Sequence, residues 1–373
     1  MMKKGWVLSA SFLLLFFSLG MSKRPREIER DIRVLIHQGI ADLSISGEKL
    51  DVEDDEGRHL FQSLGLVHLT RKAEGIDVNG QVLKQKVIVL TSETEILKVQ
   101  GKDYRGKILG VLDEKRGFLV INQLPLESYL RGVVGSEMPR GAPLESLMAQ
   151  AIAARTFAYA HQLKNAKQPF DLDRPSSSQA YQGIKGESAL TDQAIQETMG
   201  TVLVYRGKIF TSFFHHCCGG YTVKAKEVWP DISEKIPPAR SCKPCQEKPG
   251  VEWKFKITCS EFRQILLSHH FPIPETFSAI LHRDLETKRI ESIEVANQSI
   301  PARELRKYLG HTRLKSTIFW LKISEDQMEF SGKGWGHGVG LCQYGAIALA
   351  EKGSSFQEIL GYYYPKAKCV RLR

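Results

Sequence analysis

One arginine constrains how this chain can fold. Arg155 stands in the run from Pro143 to Tyr159, where Leu144, Met148, Ala151, Ile152 and Tyr159 recur at helical spacing. Pro143 suits a first helical position. Arg155 falls within the same stripe. A guanidinium facing a core is costly unless it is paired, so the fold must either bring it a carboxylate or let it snorkel to the helix edge. Glu127 and Glu137 are the nearest acidic candidates in sequence. The pattern favours a buried ionic network that fixes the turn before the helix.

Glu137 lies in that turn, in Leu126-Glu-Ser-Tyr-Leu-Arg-Gly-Val-Val-Gly-Ser-Glu137-Met138-Pro139. A carboxylate close before a proline, among small and apolar neighbours, has few water partners. Such surroundings raise a glutamate pKa, and a protonated glutamate can donate to a leaving oxygen. Glu137 is therefore the candidate catalytic acid. The competing reading is an ordinary surface glutamate.

The chain has 373 residues, 42% of them hydrophobic, enough for one large or two ordinary domains. The net charge of +10 is scattered rather than blocked, which suits a solvated face or attraction to an anionic polymer or membrane surface. No basic stripe with interleaved aromatics marks a nucleic-acid partner. Lys3-Lys4 precede an uncharged run from Gly5 to Ser22, so residues 1–22 read as a signal peptide or an N-terminal membrane anchor. The bulk of the chain is expected outside the cytoplasm, in the periplasm or cell envelope. Residues 23–95 read as a β-rich region and 96–368 as the catalytic region, with an inserted strand and helix segment at about 251–330. Arg206-Gly207 reads as the two-residue turn of a hairpin. The mixture of strands and helices is α+β, without a regular βαβ series.

Seven cysteines include His215-His-Cys-Cys218 and Cys242-Lys-Pro-Cys245. One His/Cys pair plus a Cys-x-x-Cys knuckle supplies four ligands for a closed tetrahedral zinc site. His215, Cys218, Cys242 and Cys245 are the first choice, with Cys217 or His216 as substitutes. Disulfides are the alternative that export permits.

Two further strings offer polar groups. Gly332-Lys-Gly-Trp-Gly-His337-Gly-Val-Gly340-Leu-Cys-Gln343-Tyr344 lacks the Gly-Lys-Ser/Thr of a phosphate loop. Its glycines instead allow close backbone approach, leaving His337, Gln343 and Tyr344 available. Ser177-Ser178-Gln179-Ala-Tyr181-Gln-Gly183 carries groups that can bond sugar hydroxyls or stack on a ring. A capped surface loop is the commoner outcome for such a string.

Several of these strings occur together in one family. Leu124-Pro-Leu-Glu-Ser-Tyr-Leu-Arg-Gly-Val-Val, Ser136-Glu-Met-Pro139, Gln150-Ala-Ile-Ala-Ala-Arg-Thr156, Ser178-Gln-Ala-Tyr-Gln-Gly183, Cys218-Gly-Gly-Tyr-Thr222, Gly336-His-Gly-Val-Gly340 and Gln343-Tyr-Gly-Ala346 resemble the stage II sporulation protein D family, which is grouped with an amidase enhancer. The resemblance covers about residues 95 to 366. It implies cleavage of peptidoglycan glycan strands between N-acetylmuramic acid and N-acetylglucosamine, on strands whose peptides an amidase has removed. It carries the catalytic acid onto Glu137 and a zinc-associated cluster onto His215, Cys218, Cys242 and Cys245, although some relatives lack the metal. Two departures stand out: Cys342 where relatives usually have Ser, and His216-Cys217 where Ser-Thr is usual.

The expected substrate set is Arg155, Ser178, Gln179, Tyr181, His337, Gln343 and Tyr344, with Arg155 holding the turn. An ordinary glycosidase needs two carboxylates, whereas a lytic transglycosylase can work with one. A muramidase outcome would call on Asp171 or Asp173 as the second. A non-enzymatic glycan binder that stimulates an amidase is the remaining alternative.

Overall fold

The computed structural model describes residues 31–173 and 179–372. The expected export segment and Ser178 lie outside the described residues. Among the described residues no helix is long and apolar enough to cross a membrane.

The fold is α+β. Residues 32 to 124 form two six-stranded sheets. One contains the neighbouring strands Ile32–Gln38, Gly117–Leu124, Lys107–Asp113 and Val87–Ser92, paired antiparallel. The other is centred on Asp42–Ser46 and Leu66–Arg71. Alternate residues point inward, such as Ile88 and Leu90 on one sheet and Val67 and Leu69 on the other, and they share one apolar cluster. Each such side chain contributes about 1.5–3 kcal/mol on burial. The first sheet runs through the expected boundary at 95/96, because Val87–Ser92 pairs with Lys107–Asp113. The β region therefore ends near Leu124, not at residue 95.

Helix α1, Leu126–Glu137, leaves directly from the last of these strands. Its end is set by chemistry two residues on. Pro139 disfavours helical backbone at Met138, which is extended at φ −100° and ψ 142°. Glu137 is thus the last helical residue rather than part of a free turn.

Helix α2, Leu144–Lys164, is buried nearly all round, including Ala149, Ala151, Ala153, Ala154 and Ala158. The sequence suggests a single stripe, but alanines on the other faces let neighbours close in on every side. Helix α3, Ala189–Glu197, opens on a capping box at Ser188 and packs against α1 and α2.

The hairpin at Arg206-Gly207 forms as expected, with both residues at positive φ. The segment from Glu252 to Lys333 makes two three-stranded sheets and the helices Cys259–Ser268 and Ala302–Leu309, around a core of its own. The chain then returns through the glycine-rich run. Leu341–Cys342 pairs in parallel with Phe214–His215, and the helix Gln343–Glu351 begins at once.

Candidate functional site

Glu137 is held from two sides. Its Oε1 accepts from the Ala180 backbone N–H at 2.6 Å and its Oε2 from the Gln343 side-chain amide at 3.0 Å. No basic side chain pairs with it among the described residues. Burial pushes its pKa up, and the two hydrogen bonds offset that shift only in part. The C-terminal position on α1 acts in the same direction, because the helix dipole places partial negative charge there. A carboxyl group in these surroundings holds its proton to higher pH than an ordinary glutamate.

The position of Ala180 comes from glycine. A Cβ on Gly132 would strike the Tyr181 ring and the Gly183 carbonyl, and one on Gly135 would overlap the Gly186 carbonyl. These two glycines, one turn apart on α1, let the 180–186 segment lie flat on the helix. Below it, Tyr129 donates to Gln179 Oε1 at 2.8 Å and Tyr181 donates to Asn122 Oδ1 at 2.6 Å.

The expected substrate set divides on this geometry. Gln343 reaches Glu137 directly, and Tyr344 stands beside it with its ring 4.5 Å from His216. Gln179 and Tyr181 are buried under the Glu137 cradle and present no surface to a glycan. Arg155 is fully buried too and must be withdrawn as a substrate ligand. It makes a bidentate pair with Glu127 at 2.8 and 2.7 Å and also donates to the Thr201 carbonyl at 3.1 Å. The carboxylate that the helix pattern demanded is therefore Glu127, not Glu137.

His337 faces elsewhere. Its ring lies 5.0 Å from Trp229 and 5.4 Å from His215, and it lines a cavity of about 940 Å³ between the inserted module and the body. Burial lowers its pKa to about 3, so it stays neutral. None of its contacts is shared with Glu137. Asp171 is buried in an ion pair with Arg33 at 2.6 Å.

Two residues next to Gln343 and Tyr344 were not read from the sequence as ring-bearing parts of this site. His216 sits between Tyr344 and Trp335, with ring centroids at 4.5 and 4.9 Å. Trp335 is 39% exposed, with Lys315 Nζ over its ring at 4.6 Å. An exposed tryptophan inside a glycine-rich run was the available signal, since such a ring can stack on a sugar face.

The cysteine cluster also departs from expectation. Cys218, Cys242 and Cys245 converge, but their fourth neighbour is Cys342, and the four sulfurs lie within 4.8 Å of one another. His215 is not among them. Its Nδ1 lies 3.0 Å from the Val339 carbonyl, and its Nε2 has no hydrogen-bond partner among the described residues. Spacing favours His215, three residues before Cys218. Parallel pairing of Leu341–Cys342 with Phe214–His215 brings in a thiol that is remote in sequence.

Comparison with known proteins places these features in a wider set. A family model described as stage II sporulation protein, SpoIID, matches residues 114–205, which span α1, α2 and α3. An uncharacterized protein of Brachyspira hyodysenteriae is 32% identical over 293 residues, covering 78% of each chain. Stage II sporulation protein D of Bacillus amyloliquefaciens is 31% identical over 261 residues, 65% of this chain and 74% of the relative. The amidase enhancer of Bacillus subtilis is 30% identical over 288 residues, 63% of this chain but only 39% of that longer protein.

Proposed function

This chain belongs to the stage II sporulation protein D family, and from that premise we propose that it cuts peptidoglycan glycan strands at the cell envelope as a lytic transglycosylase, with Glu137 as its one acid and base. The observation that carries the reading is the carboxyl group of Glu137. It has two neutral donors, no paired cation among the described residues and a raised pKa. Gln343, which bonds it, is followed in the chain by Tyr344, whose ring lies against His216, and His216 in turn lies against the exposed Trp335.

In the proposed reaction Glu137 gives its proton to the glycosidic oxygen between N-acetylmuramic acid and N-acetylglucosamine. The bond from muramic acid C1 to that oxygen breaks, and the N-acetylglucosamine leaves as an alcohol. The muramic acid C6 oxygen bonds to C1 and loses its proton to the Glu137 carboxylate. The products are a 1,6-anhydromuramic end and a free N-acetylglucosamine end. The acid is regenerated and no water is consumed. Ala180 N–H and Gln343 hold the carboxylate oxygens while it is charged, and Trp335 and Tyr344 offer ring faces to the sugars.

A muramidase needs a second carboxylate. Asp171, one of two candidates, is already paired with Arg33, which favours the single-acid route. The experiment is digestion of peptide-stripped glycan strands by the purified chain, with mass spectrometry of the ends. Anhydromuramic ends support the proposal and reducing muramic ends indicate a muramidase. Intact strands that nevertheless bind the protein favour the enhancer reading suggested by the name of the Bacillus subtilis relative.

A further inference from the structure

We propose that the cavity between the inserted module and the body binds a carboxylate group of the cell wall, seated on the guanidiniums of Arg289 and Arg306. Only the wall as the source of that carboxylate rests on the glycan reading.

The cavity, of about 940 Å³, has residues 221–241 and 336–337 on one side and residues 284–317 of the inserted module on the other. That is the size of a small-ligand site. Its deep part is cationic. Arg289 is 7% exposed. It donates to the Cys218 and Tyr221 carbonyls at 2.9 and 3.3 Å and to Thr317 Oγ1 at 3.1 Å. Its Nε has no hydrogen-bond partner among the described residues. A Cβ on Gly338 would strike this guanidinium, so the glycine makes room for it. Arg306, on the helix Ala302–Leu309, donates through Nε to the Leu314 carbonyl at 2.9 Å. Its two terminal nitrogens have no acceptor among the described residues, and neither arginine has a carboxylate partner there.

The two cations also repel each other. Burial and the charge of Arg289 lower the Arg306 pKa to about 10. After burial, the same two guanidiniums are what keep His337 neutral in the lining. Two desolvated guanidiniums with no anion are costly, and one carboxylate answers both, because its two oxygens match the planar fork of arginine.

The rest of the lining chooses between anions. Glu227, Asp284, Glu286, Glu291 and Glu304 stand around the same cavity. Glu304 is paired with Arg303 and Lys307, and Asp284 accepts from Thr287, but Glu286 and Glu291 are exposed. A chain of phosphates would carry repeated charge past these carboxylates. A short polar body with a carboxylate at one end avoids most of that repulsion. Trp229, stacked on Phe213 at 4.3 Å, adds an apolar ring to the lining. Peptidoglycan offers this chemistry from two sources: the lactyl carboxylate of a muramic acid freed of its peptide, and the carboxylates of the stem peptide.

The test is calorimetric binding to the full chain carrying Glu137→Gln, so that no turnover intervenes. The probes are N-acetylmuramic acid with its lactyl methyl ester, an alanyl-glutamate dipeptide with its diamide, and inorganic phosphate. At least one of the two acids should bind tenfold or more tighter than its neutral form, and the tighter acid identifies the source. Adding Arg306→Gln should cut that preference at least fivefold, and Arg306→Lys should restore part of it. Arg116→Gln, in the β region, should leave it unchanged. Should Arg306→Gln fail to fold, a crystal structure with the tighter acid decides: its carboxylate on Arg306 supports the proposal, and a carboxylate elsewhere overturns it. Acids that bind no tighter than their neutral forms, phosphate that binds tighter than both acids, or an undiminished preference in folded Arg306→Gln would also overturn it. Cleavage does not enter this measurement, so a chain that cuts no glycan can pass it and a chain that cuts glycan can fail it.

Discussion

The two ends of α1 carry the same side chain in opposite circumstances. Glu127, in the first turn, meets the buried Arg155 guanidinium in a bidentate pair and also accepts from Gly200 N–H at 3.2 Å. Glu137, in the last turn, meets only an amide N–H and a glutamine among the described residues. The helix dipole favours negative charge at the first site and opposes it at the second. One glutamate therefore serves the fold, and the other is left with surroundings that keep its proton. Sequence separates them poorly, because both lie in the same twelve-residue helix and both are near Arg155 along the chain.

This contrast can be broken from either end. The largest effect is expected at the acid. Glu137→Gln keeps the size of the side chain and should lower glycan cleavage by roughly 10²–10⁴-fold, the usual contribution of a general acid, while leaving thermal unfolding nearly unchanged. A comparable loss of activity from Glu127→Gln in fully folded protein would erase the distinction. Next is the structural end. Arg155→Met strands Glu127 beside a core and should cost about 3–5 kcal/mol in urea unfolding. A loss below about 1 kcal/mol would mean that the pair does not organise the helices.

A third variant probes how the acid is presented. Gly135→Ala puts a methyl group into the Gly186 carbonyl and should cost about 1–3 kcal/mol. It should also reduce activity, because it shifts the segment that carries Ala180. The smallest change is expected from Gln343→Ala. Its hydrogen bond lowers the Glu137 pKa, so removing it should move the alkaline limb of the pH–rate profile upward. The sign follows from the acid role: cleavage falls as rising pH takes the proton from Glu137. A limb that stays in place or moves down would show that Gln343 is not the partner of the ionised form.

Some of this was legible in the sequence, and the reasons are local. Pro139 sets the end of α1, and Arg206-Gly207 forms the hairpin turn, because backbone preference decides both positions. The need for a carboxylate at Arg155 was also readable, since a cation in an apolar stripe must be paired. Its identity was not, because it depends on how α1 and α2 pack. Cys342 was hidden for a similar reason: a parallel strand pair brings it to Cys218 across more than a hundred residues. Gln179 and Tyr181 looked like sugar ligands by composition. They turned inward because Gly132 and Gly135 press their segment onto the helix, and glycine spacing alone does not reveal which strand will come close.

The most direct measurement is the ionisation of Glu137 itself. Difference infrared spectra of the wild type minus Glu137→Gln, followed across pH, isolate its carboxyl stretch. The account predicts that the protonated band persists above the ordinary glutamate value of about 4.3. A band that disappears at or below that value would contradict the claim that this site keeps the acid uncharged.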